Sequence, residues 1–328
     1  MFSFPKTLDN TIVSSWQTCE TKAFLSHFLH FRPRGPQVHL DAGAVYARGL
    51  EVYRKAYYST NVPTQGKHEE CMLLGIRAMI KMWGYDPEVD AVFAQTKKSF
   101  HRVLELYVKY FNHFGVKTDE VTPLIIDGEA AVEKSFTLQL DIKNPDTGEP
   151  ILYHGRFDFL ADYAGGIFLV DDKTCSQLGV SWSGQWDFRS QFTGYVYGAK
   201  TFGLPVLGAI VRGACFYVDR VDFQQSITRR AQWELDKWFE DLHVAVDNMV
   251  RYYIHLRDVY SGLESPNGKI PHAVRLLRQI PQRGIFSNAC NSYSGCEFQS
   301  LCKTQHPERY VSDFTIRVWD PTNPHQEE

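Results

Sequence analysis

From Val132 onward the chain alternates between apolar and polar residues. Val132, Phe136, Leu138 and Leu140 are apolar, and Glu133, Ser135, Thr137 and Gln139 stand between them. A period of two predicts a half-buried strand. The Asn144-Pro145-Asp146-Thr147-Gly148 segment that follows is a turn. A second strand is predicted over 151–161, then a turn at Tyr163-Ala164-Gly165-Gly166, then a short apolar strand over 167–171. Three strands joined by such short turns pair as antiparallel neighbours. That order restricts the chain more than any other feature.

The flanking segments read as helices. Candidates are 11–29, 41–58 with Asp41 as its cap, 69–83 and 92–114; the last has Phe100, Val103, Leu104, Tyr107 and Phe111 at helical spacing. After the strands come a helix over 185–200, a fourth strand over 207–216 and a long helix over 226–253. The long helix has Trp233, Leu235, Trp238 and Leu242 in its apolar set. Residues 260–284 read as a loop or weak helix. This order predicts an α/β core behind an N-terminal helical lobe. Three successive regions are expected: 1–120, helical; 121–257, the core; and 258–328, holding a cysteine group. Together they form one compact unit.

Composition narrows the classes. The 328 residues carry 35 Lys+Arg and 38 Asp+Glu, a net charge of −3, with 44% apolar residues. A disordered chain and a nonspecific polycation are both excluded. A locally basic groove for nucleic acid is still compatible. No apolar run is long enough to span a bilayer, and the N-terminus has no secretory pattern. A soluble, cytoplasmic protein without membrane contact is expected.

Strand parity places the charged residues. His154, Arg156 and Asp158 share one face of the second strand. On the third, Asp171 and Lys173 share a parity and Asp172 has the other. Pairing across Gly165-Gly166 brings Asp171 and Lys173 beside Asp158. Two carboxylates and a lysine at strand ends suit a hard divalent cation and phosphodiester chemistry. Gln191 and Tyr195 lie four apart on one helical face, where an amide can hold a phosphate and a ring can stack a nucleotide.

Of the seven cysteines, Cys290, Cys296 and Cys302 are separated by five residues each. Their crowding in a reducing cytosol points to a metal site. A tetrahedral zinc or an iron–sulfur cluster needs a fourth thiolate, and Cys19 is the best candidate. Cys71 and Cys215 read as buried small hydrophobes, and Cys175 lies directly beyond the charged strand.

Taken together, Gly155-Arg156-Phe157-Asp158, Val170-Asp171-Asp172-Lys173-Thr174 and Gln191-Phe192-Thr193-Gly194-Tyr195 resemble the RecB-type branch of the PD-(D/E)XK nucleases. Cys19 with the C-terminal triplet resembles its iron–sulfur subgroup, which includes AddB-type helicase–nucleases, CRISPR-adaptation nucleases and stand-alone phage exonucleases. The resemblance runs from about Ser14 to Cys302. It implies a restriction-endonuclease-like core, a central mixed sheet flanked by helices, with a cysteine-stapled C-terminus. It implies Asp158 and Asp171 as Mg²⁺ or Mn²⁺ ligands, the Asp172 backbone carbonyl as a further ligand, and Lys173 as the catalytic lysine. Glu133 occupies the place of a glutamate kept by many relatives on the preceding strand. Gln191 and Tyr195 would hold DNA. Cys19, Cys290, Cys296 and Cys302 would bind a 4Fe–4S cluster, with zinc as the alternative.

The implied activity is hydrolysis of DNA from free single-stranded or duplex ends, in recombination or repair. Implied protein partners are a recombinase, a helicase or a single-strand-binding protein. Many relatives carry a metal-ligating His in a G-x-x-x-H helix; Gly43-Ala44-Val45-Tyr46-Ala47 places Ala47 there. That substitution motivates the alternative of a weak or inactive DNA-end-binding accessory protein. A third possibility is an unrelated enzyme with a structural zinc. No G-x-x-x-x-G-K-[ST] is present in the sequence, so the chain has no motor motif.

Overall fold

Asp9 starts the first helix by accepting the Ile12 N–H on its carboxylate at 2.7 Å, the ordinary way a helix N-terminus is satisfied. The computed structural model describes residues 2–35, 38–84, 98–261, 273–291 and 295–323. The first helix, α1, is Asn10–Thr18. The helix expected over 11–29 is broken at Cys19, whose extended backbone separates α1 from a short helical turn, Glu20–Ala23, and a π-turn, Phe24–Phe28. Helix α2 is Val38–Tyr58. It begins three residues before Asp41, so Asp41 is not its cap. Helix α3 is His68–Trp83 and α4 is Phe100–Phe114. The expected start of α4 at 92 lies outside the described residues.

The three predicted strands form β1 (Val132–Lys143), β2 (Pro150–Tyr163) and β3 (Gly166–Cys175). Ala164 and Gly165 both have positive φ, 51° and 76°, which a two-residue hairpin of this twist requires. β3 continues to Cys175 rather than ending at Asp171, because its next neighbour keeps pairing with it. That neighbour is β4 (Val206–Phe216), parallel to β3 from Ile167↔Val206 to Cys175↔Cys215. A parallel partner needs a crossover, supplied by Val180–Gly184 and helix α5 (Ser190–Ala199).

A further strand, β5 (Val221–Arg229), pairs antiparallel with β4. Its second half falls within the long helix expected over 226–253. Helix α6 in fact runs Gln232–Ser261, with Trp233 70% exposed while Leu235 and Leu242 are buried. The unpaired edge of β4 draws 221–229 into a strand, and the helical period extends only from 232. The fold is therefore α/β, with a mixed central sheet flanked by helices. Among the described residues, no helix is long and apolar enough to cross a membrane.

The chain groups into two compact units that do not follow the successive regions expected from sequence. The first comprises Met1–Gly35, Thr137–Gly155 and Asp236–Glu328. In its aromatic core Phe24 is edge-on to Phe2 and Phe28, and each of those is edge-on to Tyr253. The Tyr253 hydroxyl donates to Asp146 at 2.7 Å. The second unit comprises Pro36–Phe136 and Arg156–Leu235. Its helical core buries Tyr46, Leu50, Met79, Val103 and Tyr107 with Ala214 and Phe216 of β4. The N-terminal helices thus divide: α1 groups with the C-terminal cysteines, and α2–α4 group with β3–β5.

Gly208 marks where β4 and β5 approach most closely. A Cβ there would lie 2.0 Å from the Thr228 carbonyl oxygen, a backbone atom that cannot step aside. Gly208→Ala is expected to cost about 2–3 kcal/mol, the upper part of the range for overpacking. Urea unfolding of the variant against wild type measures it.

Candidate functional site

The β2–β3 hairpin pairs regularly from Tyr163↔Gly166 to Phe159↔Val170. One step further, the Asp172 N–H donates to Asp158 Oδ2 at 2.7 Å. On the neighbouring strand, Lys173 Nζ stands 3.0 Å from Asp171 Oδ1 and 2.7 Å from Oδ2. Asp171 is 2% exposed, and its Oδ2 has the lysine contact but no bond of hydrogen-bond geometry. Burial pushes the Asp158 carboxyl well above the usual range, and Asp171, Glu133 and Asp172 add to the shift. Burial opposes charge on Lys173 as well, but Asp171 and Asp158 outweigh it and hold the ammonium charged. The structure thus brings Asp158, Asp171, Lys173 and Glu133 into one electrostatic group.

Glu133, the second residue of β1, has φ +54°, an unusual conformation for a residue with a side chain. Burial, reinforced by Glu51, raises its carboxyl to about 7, despite an Arg156 Nε contact at 2.8 Å. Glu51 is itself buried on α2, between Arg48 at 2.6 Å and Lys55 at 2.7 Å. Glu51 was not singled out from the sequence, and Arg156 was placed on the face of Asp158 without a role. Glu51 lies one turn beyond Ala47, so helical spacing from the G-x-x-x-H position was the available signal.

The Asp172 side chain is buried on the opposite face, with Arg54 Nη1 2.6 Å from its Oδ2. Arg54 also donates to the Tyr110 hydroxyl at 2.9 Å and lies 4.2 Å from the Phe159 ring centroid. Arg212 donates to the same hydroxyl at 2.6 Å and holds Asp119 through two bonds of 2.6 and 2.7 Å. This network anchors the backbone of Asp171–Lys173 from behind. Its arginines could not be paired from sequence, since their partners lie on other elements.

Helix α5 carries Gln191 and Tyr195, joined by a 3.0 Å bond from Gln191 Nε2 to the Tyr195 hydroxyl. The Tyr195 ring packs edge-on against Phe136, Phe157 and Phe192 at 6.3–6.4 Å. The ring that the sequence suggested for stacking is half-buried among these phenylalanines. Lys173 Nζ lies 6.0 Å from the Phe192 ring centroid, so the first turn of α5 adjoins the acidic group.

The cysteines of the first unit also gather. A Cβ on Gly284 would stand 3.0 Å from Cys290 Sγ and 3.5 Å from Cys19 Sγ. Cys296 N–H donates to the Cys290 carbonyl at 2.8 Å, and Gln299 donates to the same oxygen. Burial and the neighbouring Cys296, Cys19 and Cys290 push the Cys302 thiol up to about 12. All four candidate cysteines are therefore neighbours. Cys71 and Cys215 are fully buried in the second unit. Among the described residues, no three His, Cys, Asp or Glu side chains form a ready ligand set for a metal ion.

No family model matches the chain, and no curated protein matches it. Among solved structures, "Crystal structure of SSO0001" aligns with 55% of this chain and 81% of that one, at 12% identity and a TM-score of 0.22. A likeness of that size carries no argument about fold or function.

Glu133 keeps its proton in the folded state at pH values where the unfolded chain has lost it. Its stabilising contribution is therefore full below about 4.5 and is lost as pH rises through about 7. The stability of metal-free protein is expected to fall between pH 5 and pH 8 by on the order of 1–3 kcal/mol. Glu133→Gln should flatten part of that slope, as read by urea titration across the range.

Proposed function

We propose that the chain is a metal-dependent deoxyribonuclease with a PD-(D/E)XK core, hydrolysing phosphodiester bonds from free DNA ends. The convergence of Asp158, Asp171, Glu133 and Lys173 on adjoining strands of a mixed sheet carries this reading. The residues fit a hard cation. Asp171 Oδ2 is a buried oxygen without a bond of hydrogen-bond geometry, and burial with the neighbouring carboxylates pushes the Asp158 carboxyl well above its usual range. Asp158 and Asp171 would hold Mg²⁺ or Mn²⁺, with the Asp172 carbonyl and Glu133 as further oxygens. When bound, the ion supplies Lewis acidity toward the phosphodiester oxygens.

The chain's own residues do the rest. Lys173 Nζ, fixed by Asp171, offers an ammonium to the attacking water or to the charge that develops on phosphorus oxygens. Arg54 keeps the strand from shifting by holding Asp172. The Gln191 amide, one of whose N–H groups donates to the Tyr195 hydroxyl, would hold a phosphate oxygen with the other. Ala47 stands where relatives of this class carry a histidine, and it favours a slow enzyme or a DNA-end-binding protein as the second reading.

The four cysteines would hold a 4Fe–4S cluster, or zinc. Gly284 lets the Cys19 and Cys290 thiols close in on the backbone, since a Cβ there would crowd Cys290 Sγ at 3.0 Å and stand 3.5 Å from Cys19 Sγ. A bound metal there would tie the α1 end of the chain to the C-terminal segment. It would serve stability rather than hydrolysis.

Protein purified without oxygen and supplied with Mg²⁺ should digest end-labelled linear DNA and spare closed circles. Asp171→Ala and Lys173→Ala should each lower the rate roughly 10²–10³-fold, read on variants whose folding is first checked by circular dichroism. Cleavage that persists in both would remove the site assignment. Binding of linear DNA without turnover would select the second reading.

Cys296→Ala is expected to yield colourless, poorly soluble protein with less than stoichiometric iron. A stable and fully active variant would show that the cysteines do not staple the fold.

A further inference from the structure

We infer that Phe188 is a stacking platform for an unpaired base and that Arg189 holds the phosphate beside it, so that the site takes a single-stranded end. This inference rests on the nuclease reading for what lies next to it, but its own evidence is separate. The loop between β3 and α5 is firmly held. Trp182 and Trp186 are both buried, with ring centroids 5.3 Å apart. Arg230 donates to the Trp186 carbonyl at 2.8 Å, and the Gly179 N–H donates to Gln224 at 2.8 Å.

On this anchored loop Phe188 is 94% exposed. Burying a phenylalanine stabilises a fold by roughly 1.5–3 kcal/mol, so a bare one on a held loop has a face to offer. The ring with which a nucleotide was expected to stack, Tyr195, is packed against three phenylalanines.

Charge selects the occupant. Arg189 is exposed and bears electrostatically on Lys173, which places it beside the acidic group. The adjacent Asp187 bears on Arg230, and the exposed Arg189 supplies a positive charge next in sequence to the ring. An exposed aromatic face beside a guanidinium suits a strand with bare bases and a phosphate backbone. A paired duplex end keeps its bases stacked on each other and offers less to the ring.

Binding is measured in EDTA, so that nothing is hydrolysed, by anisotropy of a single-stranded oligonucleotide carrying 2-aminopurine and of a blunt duplex. Phe188→Ala should weaken single-strand binding about tenfold and abolish the 2-aminopurine quenching, with duplex binding changed less than about twofold. Phe188→Trp should restore both. Arg189→Ala should reduce the salt slope for the single strand by about one. Because Phe188 is exposed, Phe188→Ala should keep the wild-type melting temperature. Unchanged single-strand affinity and quenching in Phe188→Ala would overturn the platform. So would a loss of self-association on sedimentation with DNA affinity intact, which would make the ring a protein interface. Absence of Mg²⁺-dependent hydrolysis with this binding pattern intact would instead remove the nuclease reading and leave the platform standing.

Discussion

The second unit depends on how β3 carries charge through the middle of a sheet. Asp171 and Lys173 face one side and Asp172 the other, so both faces bury carboxylates. A buried carboxylate without a partner costs several kcal/mol, and removing one member of a buried pair is among the most damaging changes a core can suffer. Asp172 is answered by Arg54, and Arg54 shares the Tyr110 hydroxyl with Arg212. Asp171 is answered only by Lys173 among its ion pairs. Asp158 and Glu133 remain crowded enough to favour their protons. The two faces thus differ in kind. One is balanced and fixes the strand, and the other has unspent negative potential.

On the proposed reading, that imbalance is what a cation would answer. A group of carboxylates held above their usual range is poised to exchange protons for a cation, so metal affinity should rise with pH. The positive φ of Glu133 fits the same account, since local strain persists where surrounding structure demands it. The cysteine group shows the related behaviour in sulfur. A Cys302 thiol raised to about 12 is protonated alone, and metal binding would have to displace that proton. In both places the side chains are arranged at a cost that a bound group would offset.

The local part of this was legible in the residues. The alternation from Val132 and the turn at Ala164-Gly165 predict β1, β2 and β3, because period and turn chemistry act over a few residues. Parity then separates Asp171 and Lys173 from Asp172 without any structure. The β5 strand was not legible, because its residues pair with β4 and the helical period that follows obscures them. Arg54, Arg212 and Glu51 were equally hidden. Each acts on a charge carried by another element, and nothing in a single sequence measures that distance.

By itself the sequence determined which residue types could gather and which faces of β3 they would take, since side-chain direction along a strand follows from covalent geometry. It also determined that four cysteines would flank the chain near its two ends. Only the tertiary structure decided that α1 groups with the C-terminal cysteines while α2–α4 group with the charged strand. Only it decided that Tyr195 is half-buried among phenylalanines and that Phe188 is left bare. The physical reason is the same throughout. Direction and period are local properties of the backbone, whereas burial and charge pairing depend on which distant segments the core brings together.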